Sequence, residues 1–268
     1  MAMQDDSSLD DTLALMRDLR ARCDWDAAQT HQSLRPYLIE EAHELDDALR
    51  AGDDREIRNE LGDLLLQVLF HSVIAEERGA FTMRDVGDAL IAKMHARHPH
   101  LYGDGEKVAW EKMKAKARAS IADGLPVDLP ALHRAHRLQD RAAGVGFDWP
   151  DVDGPAEKVE EELHEVRAEL RGDAHESAAD TAARVSRLED ELGDLLFAAV
   201  NLCRKAGVHA SVALDRANMK FVRRFEAVEA LAVARGIDVK TAGLAVLDRL
   251  WDEVKLARRD AGQYGDER

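Results

Sequence analysis

Two stretches decide how this chain reads: IRNELGDLLLQVLFHSVI at residues 57–74 and EDELGDLLFAAVNLC at residues 189–203. Placed on a helix at about 100° per residue, the first is apolar almost all round. Its polar exceptions, Glu60, Asp63, Gln67 and His71, line up on one side. A helix of this kind belongs in the interior of a fold. Two carboxylates on such a helix cost heavily unless they are paired or hold a cation. The second stretch repeats the same Glu-Leu-Gly-Asp core at Glu191 and Asp194.

Upstream of each stretch stands a cluster of glutamates. Glu40-Glu41-Ala-His43-Glu44 precedes the first, and Glu161-Glu162-Leu-His164-Glu165 precedes the second. On a helical projection Tyr37, Leu38, Leu45, Ala48 and Leu49 form one apolar face. Glu41 falls inside that face and Glu44 about 60° away at its edge. Two helices thus offer two carboxylates each toward one interior: Glu41 and Glu44 with Glu60 and Asp63. The same arrangement recurs as Glu162 and Glu165 with Glu191 and Asp194. Four carboxylates without a thiolate suit a hard cation, Mg²⁺ above all, with Mn²⁺ as a substitute. An ExxH-type di-iron reading would use Glu40 with His43 and Glu161 with His164. The projection turns His43 away from the apolar face, and each half holds one ExxH where a di-iron bundle uses two.

The repetition extends along the chain. Cys-Asp24-Trp25-Asp is matched by Phe-Asp148-Trp149-Pro, and Lys93-Met-His-Ala-Arg97 by Lys220-Phe-Val-Arg-Arg224. Trp110-Glu-Lys-Met-Lys114 is matched by Trp251-Asp-Glu-Val-Lys255. Features recurring in one order describe a duplicated module. The expected division is an N-terminal module over 1–122, a linker over 123–130 (GLPVDLP within it) and a C-terminal module over 131–268. Apolar spacing near 3.6 dominates between the punctuation points, no alternating strand pattern stands out, and no proline follows Pro155. The expected class is all-α: two tandem helical-bundle modules. Their glutamate-bearing helices are too apolar to face water, so a second copy of the module or of the chain must cover them, which predicts a homodimer.

Composition excludes several function classes. Of 268 residues, 46% are hydrophobic, enough for a sizeable core, and 53 acidic against 37 basic residues give a net charge of −16. That charge opposes general nucleic-acid binding. The longest apolar stretch, residues 64–75, is interrupted by Gln67, His71 and Ser72, too short and polar to span a bilayer. The start, MAMQDDSSLDD, has no signal-peptide apolar region, and two cysteines make no disulfide framework, so the expected compartment is the cytoplasm. An anionic substrate must then find its cations locally. Recurrence of the Lys/Arg pair downstream of the carboxylates points to a phosphate clamp, Lys220 and Arg224 in the second half.

These motifs resemble the MazG nucleoside triphosphate pyrophosphohydrolases, of the all-α NTP pyrophosphatase superfamily. EExxE followed by ExxD carries the resemblance, together with CDWDAAQT, ELGDLLLQVLFHS, KMHARHPHLYGD, VGFDW, ELGDLLFAAVN and ANMKFVRRF, nearly the length of the chain. The resemblance implies paired helical bundles and the reaction NTP + water → NMP + pyrophosphate, on ribo- and deoxyribonucleotides with little base selectivity. It implies Mg²⁺ on Glu162, Glu165, Glu191 and Asp194, with Glu41, Glu44, Glu60 and Asp63 as the N-terminal equivalents. Metal ions neutralise the triphosphate and acidify a bound water. Among the catalytic pair Glu161 and Glu162, Glu161 is placed to orient or deprotonate that water. Lys158, Arg187, Lys220 and Arg224 would hold phosphates. Trp251, with Lys255 one turn on, would stack on the nucleoside. Relatives usually carry Lys at the Arg187 position, a change that keeps the charge.

Both halves keep four ligand carboxylates but differ in cations. Tyr37 stands at the Lys158 position and Glu56 at the Arg187 position, so the C-terminal half is the expected main catalyst. The cellular role implied is nucleotide-pool sanitation or stress-linked nucleotide control. Two other readings stay open: a dCTP- or dUTP-selective pyrophosphatase, and a non-catalytic helical dimerisation protein stabilised by metal.

Overall fold

A computed structural model describes residues 8–105, 118–171 and 178–260. Every regular element among them is a helix: α1 (Leu9–Arg22), α2 (Asp24–Ala28), α3 (Arg35–Ala51), α4 (Asp54–Glu77), α5 (Met83–Arg97), α6 (Pro99–Tyr102), α7 (Ala131–Gly144), α8 (Asp153–Glu169), α9 (Ala178–Lys205), α10 (Ala210–Ala234) and α11 (Leu244–Asp260). The all-α class expected from the periodicity is therefore what the chain forms. It divides between residues 107 and 108 into two compact units.

In the first unit local signals set the helix ends. Ser8 and Thr82 close capping boxes with Asp11 and Asp85 at the starts of α1 and α5. Asp53 accepts from the Arg55 and Glu56 amides at the start of α4. Gly52, at φ 73°, ends α3 in a left-handed cap, which a side chain would strain. Two residues then suffice to turn the chain back, so α3 and α4 pack as a hairpin. The core gathers Met16, Leu34, Leu69, Phe70, Val73 and Ile74. Arg20 fastens α1 to the far end of α4 through Glu77 at 2.6 Å, and also donates to the Asp26 and Gln29 carbonyls.

In the second unit α8 and α9 form the equivalent hairpin, and α7 lies against α9. Arg141 on α7 donates to the Ile121 and Asp123 carbonyls at 2.7 and 2.8 Å and draws residues 121–123 onto this unit. Farther along, α10 and α11 close on a cluster of Val228, Ala232, Leu250 and Val254. The loop before α8 is held at the end of α9: Asp148 pairs with Arg204, and Lys205 donates to the Trp149 carbonyl at 2.7 Å. Burial works against the Asp148 charge, yet Arg204 and Lys205 hold its carboxyl below the usual carboxylate range. Gly154 is required where it stands, because a Cβ there would lie 2.0 Å from Trp149 Cδ1.

The interior position expected for the glutamate-bearing helices holds only in part. Leu69, Phe70, Val73 and Ile74 of α4 are buried, but Leu61, Leu66 and Val68 are exposed, as are Leu38 and Leu49 on α3. Likewise Leu192, Leu196 and Phe197 on α9 and Phe221 and Val222 on α10 keep large apolar surfaces in solvent. Side chains within a single copy of each unit cover one side of these helices and leave the other open.

A carboxylate centre beside an apolar pocket

The hairpin of the second unit builds the site. One turn of α8 carries Glu161, Glu162 and Glu165, and one turn of α9 carries Glu191 and Asp194. Carboxylate oxygens of Glu162, Glu191 and Asp194 all lie within 4.8 Å of one another, as do those of Glu161, Glu162 and Glu165. Glu162 is the centre of both groups and is 4% exposed. Its Oε1 accepts from Lys158 Nζ at 2.6 Å, while the buried Oε2 has no hydrogen-bond partner. An orphaned, buried carboxylate oxygen is costly, and the residue that carries it stands among other carboxylates. This donor set fits a hard divalent cation. Partial desolvation, together with the Glu162 and Glu191 carboxylates, pushes Glu165 above the usual range. Lys158 also donates to Glu161 at 2.9 Å, and the two carboxylates hold it above the usual lysine range.

Beside this centre opens a pocket of about 510 Å³. Lys158, Glu162 and Asp194 line one side, and Leu138, Ala142, Phe147 and Trp149 supply apolar wall. Two buried amides reach it, Gln139 and Asn201. Asn201 Oδ1 accepts from Arg204 Nε and Nη2 at 3.0 and 2.8 Å, so the ion pair that holds the loop also fixes this side chain.

The first unit assembles the matching acids. Glu41, Glu60 and Asp63 bring carboxylate oxygens within 4.8 Å of one another. Burial, then Asp63, Glu44 and Glu60, raise Glu41, and Glu60 is raised by desolvation and by Glu44 and Asp63. All four predicted acids therefore interact. The neighbouring groups differ. Tyr37 occupies the position of Lys158, and Phe70, 3% exposed, stands ten residues after Glu60 as Asn201 stands ten after Glu191. The Trp25 ring meets Tyr37 and Phe70 edge-on at 6.2 and 6.3 Å between centroids, so aromatic carbon gathers at the positions that Lys158 and Asn201 hold in the second unit.

Other predicted contacts go elsewhere. Arg187 pairs with Glu169 at 3.1 Å, across the α8–α9 hairpin. Trp251 packs on the α10–α11 cluster with its ring 5.4 Å from Phe221, and Lys255 lies 3.6 Å from Asp252. Neither these residues nor Lys220 and Arg224 line the pocket. Trp110 and Lys114 lie outside the described residues. Reading the sequence missed Gln139 and Arg204 altogether and gave Phe147 and Trp149, both within quoted motifs, no role. The repeated Asp-Trp pair, Asp24-Trp25 and Asp148-Trp149, was the available signal for that last one.

Comparison with known proteins agrees with the motifs. Residues 29–102 match the MazG nucleotide pyrophosphohydrolase domain. The chain is 40% identical over 257 residues to a nucleoside triphosphate pyrophosphohydrolase of Escherichia coli, covering 91% of this chain and 95% of that protein. It is 41% identical over 255 residues to the nucleoside triphosphate pyrophosphohydrolase/pyrophosphatase MazG of Thermotoga maritima, covering 92% and 95%. A nucleoside triphosphate pyrophosphohydrolase of Mycobacterium tuberculosis is 41% identical over 175 residues, 61% of this chain and 51% of that one.

Proposed function

The chain belongs to the MazG family of nucleoside triphosphate pyrophosphohydrolases, and from that premise we propose that its second unit hydrolyses nucleoside triphosphates to the monophosphate and pyrophosphate. The observation that carries the assignment to this unit is Glu162, buried, with one oxygen unpartnered, at the centre of four other carboxylates and with a pocket at its side. Glu162, Glu165, Glu191 and Asp194 would hold Mg²⁺, or Mn²⁺ in its place. Such a cation neutralises phosphate charge and lowers the pKa of a bound water.

The chain's own residues then do the following. Water adds to phosphorus as one phosphoanhydride bond between the α and β phosphates opens. Glu161, exposed and one residue from the buried ligand, accepts the proton that water gives up. Lys158 releases Glu161 and Glu162 to meet phosphate oxygens, a role for which its ammonium stays charged. Arg187 can supply a second cation from its exposed pair with Glu169. Lys220, Arg224, Trp251 and Lys255 would contribute from a second copy of the chain. Exposed Leu192, Leu196, Phe221 and Val222 support a homodimer that covers α9 and α10. The first unit, with Tyr37 and Phe70 at the positions of Lys158 and Asn201, would bind metal yet turn over poorly. No described helix is long and apolar enough to cross a membrane.

Pyrophosphate release from the eight common ribo- and deoxyribonucleoside triphosphates, with Mg²⁺ and in excess EDTA, tests this reading. Release from most of them, abolished by EDTA and weak with Ca²⁺, is the expected result. Release from dCTP or dUTP alone would replace it with a selective pyrophosphatase. No release from any would leave a non-catalytic dimerisation protein.

A further inference from the structure

Three imidazoles of the second unit meet away from the carboxylate centre. His133 and His136 lie one turn apart on α7, and His209 is the N-cap of α10. The His209 ring packs edge-on against His133 at 4.8 Å between centroids and lies tilted over His136 at 4.4 Å. Nδ1 of His136 and Nδ1 of His209 are buried and have no hydrogen-bond partner. A neutral imidazole carries N–H on one nitrogen, whereas a protonated one carries it on both and needs an acceptor at each. The surroundings supply cations instead. Arg137 on α7 acts on His133 and His136, and Arg204 at the end of α9 acts on His136. Asp140 is the acid at hand, 3.7 Å from His136 Nε2, but it already accepts from Arg137 at 2.8 Å. A charge on either α7 ring also meets the positive end of the α10 dipole, where His209 stands. Burial first, and then the neighbouring cations, lower His133 and His136 below the ordinary imidazole range, against the pull of Asp140 on His136.

The trio sits at the seam of three helices, since α7 packs on both α9 and α10. The same α7 carries Leu138, Gln139 and Ala142 on the pocket wall. Arg204 fixes Asn201 and, through Asp148, the loop that bears Phe147 and Trp149. Anything that parts α7 from the end of α9 therefore reshapes the pocket. We infer that His133, His136 and His209 form an acid-sensing latch on the second unit. Neutral rings hold α7 against α9 and α10. Protonated rings repel one another, Arg137 and Arg204, so the seam loosens and substrate binding weakens. The effect on substrate rests on the pyrophosphohydrolase reading above, whereas the latch itself does not.

KM for ATP between pH 7.5 and 5.5, at saturating Mg²⁺, supplies the first test, in the wild type and in the double variant His136→Gln, His209→Gln. Protonation of the nucleotide weakens binding alike in both proteins, so their ratio isolates the imidazoles. At pH 7.5 the two KM values should agree within about 2-fold, and at pH 5.5 the wild-type value should exceed that of the variant by about 5-fold or more. Parallel profiles overturn the latch. A second measurement needs neither a variant nor turnover, and so stands even where the double variant fails to fold. Backbone hydrogen exchange of α7, corrected for its intrinsic dependence on pH, is followed beside the imidazole Cε1–H resonances of the wild type. The amides of α7 should lose protection as the imidazoles titrate, below the ordinary value of about 6.5. Protection that persists to pH 5.5, or imidazoles that titrate without its loss, overturns the latch. Absence of pyrophosphate release from every nucleotide would sink the enzymatic reading instead, and the exchange data then decide the latch by themselves.

Discussion

Glu162→Gln separates the two things that a crowded carboxylate centre does. Gln keeps the volume and removes one charge. In the metal-free protein that charge lies within 4.8 Å of the Glu191 and Asp194 oxygens. At an effective dielectric of 20, one like-charge pair at that distance costs about 3.5 kcal/mol before solvent screening. Against this relief stands the loss of the Lys158 contact at 2.6 Å, but Lys158 retains Glu161 at 2.9 Å as a partner. Relief of repulsion should win, so in EDTA the variant melts at or slightly above the wild-type temperature. With Mg²⁺ the order reverses, since the wild type gains from filling its site and the variant gains less. Turnover falls in parallel. One electrostatic group aimed at the developing charge is worth about 3 kcal/mol, roughly 100-fold or more in kcat. Glu41→Gln, in the unit that carries Tyr37 where Lys158 stands, should keep at least about a third of the activity. Thermal melts with and without Mg²⁺, beside pyrophosphate release, check all four quantities. A crippling Glu41→Gln with a nearly silent Glu162→Gln would refute the assignment of the active unit. A metal-free Glu162→Gln that melts far below wild type would refute the electrostatic account.

Two further outcomes follow from the same packing. Gly154→Ala places a methyl 2.0 Å from Trp149 Cδ1, so the indole must leave the pocket wall; KM for ATP should rise about 5-fold or more while helix content is kept, and an unchanged KM would show that Trp149 does not shape the site. Near the start of α10, His133, His136 and His209 pack ring to ring at 4.8 and 4.4 Å, and burial with His209 and Arg137 nearby lowers the pKa of His133 and His136. A histidine lowered on folding contributes stability that is present above its unfolded pKa, about 6.5, and is lost as pH falls below that value toward the folded one. Urea midpoints should therefore drop between pH 7.5 and 5.5, and drop less in His136→Gln; an equal drop in both proteins would remove these imidazoles from the cause.

How much of this was legible beforehand depends on whether a single helix held the information. Periodicity alone put Glu41 among apolar neighbours, aligned Glu60 with Asp63, and showed the pattern twice, because residues three and four apart share a face whatever the helix packs against. The helical class and both acid clusters followed, and so did the Lys158 and Tyr37 difference between the halves. The tertiary structure decided what crosses from one helix to another. Gln139, Phe147 and Asn201 meet at one pocket although 62 positions separate the first from the last. The Asp148–Arg204 pair that shapes this pocket joins a loop to a helix end 56 residues away. Arg187 turned to Glu169 and Trp251 to Phe221 for the same reason: a side chain takes the partner that packing brings within reach, and no spacing within its own helix specifies which neighbour that will be.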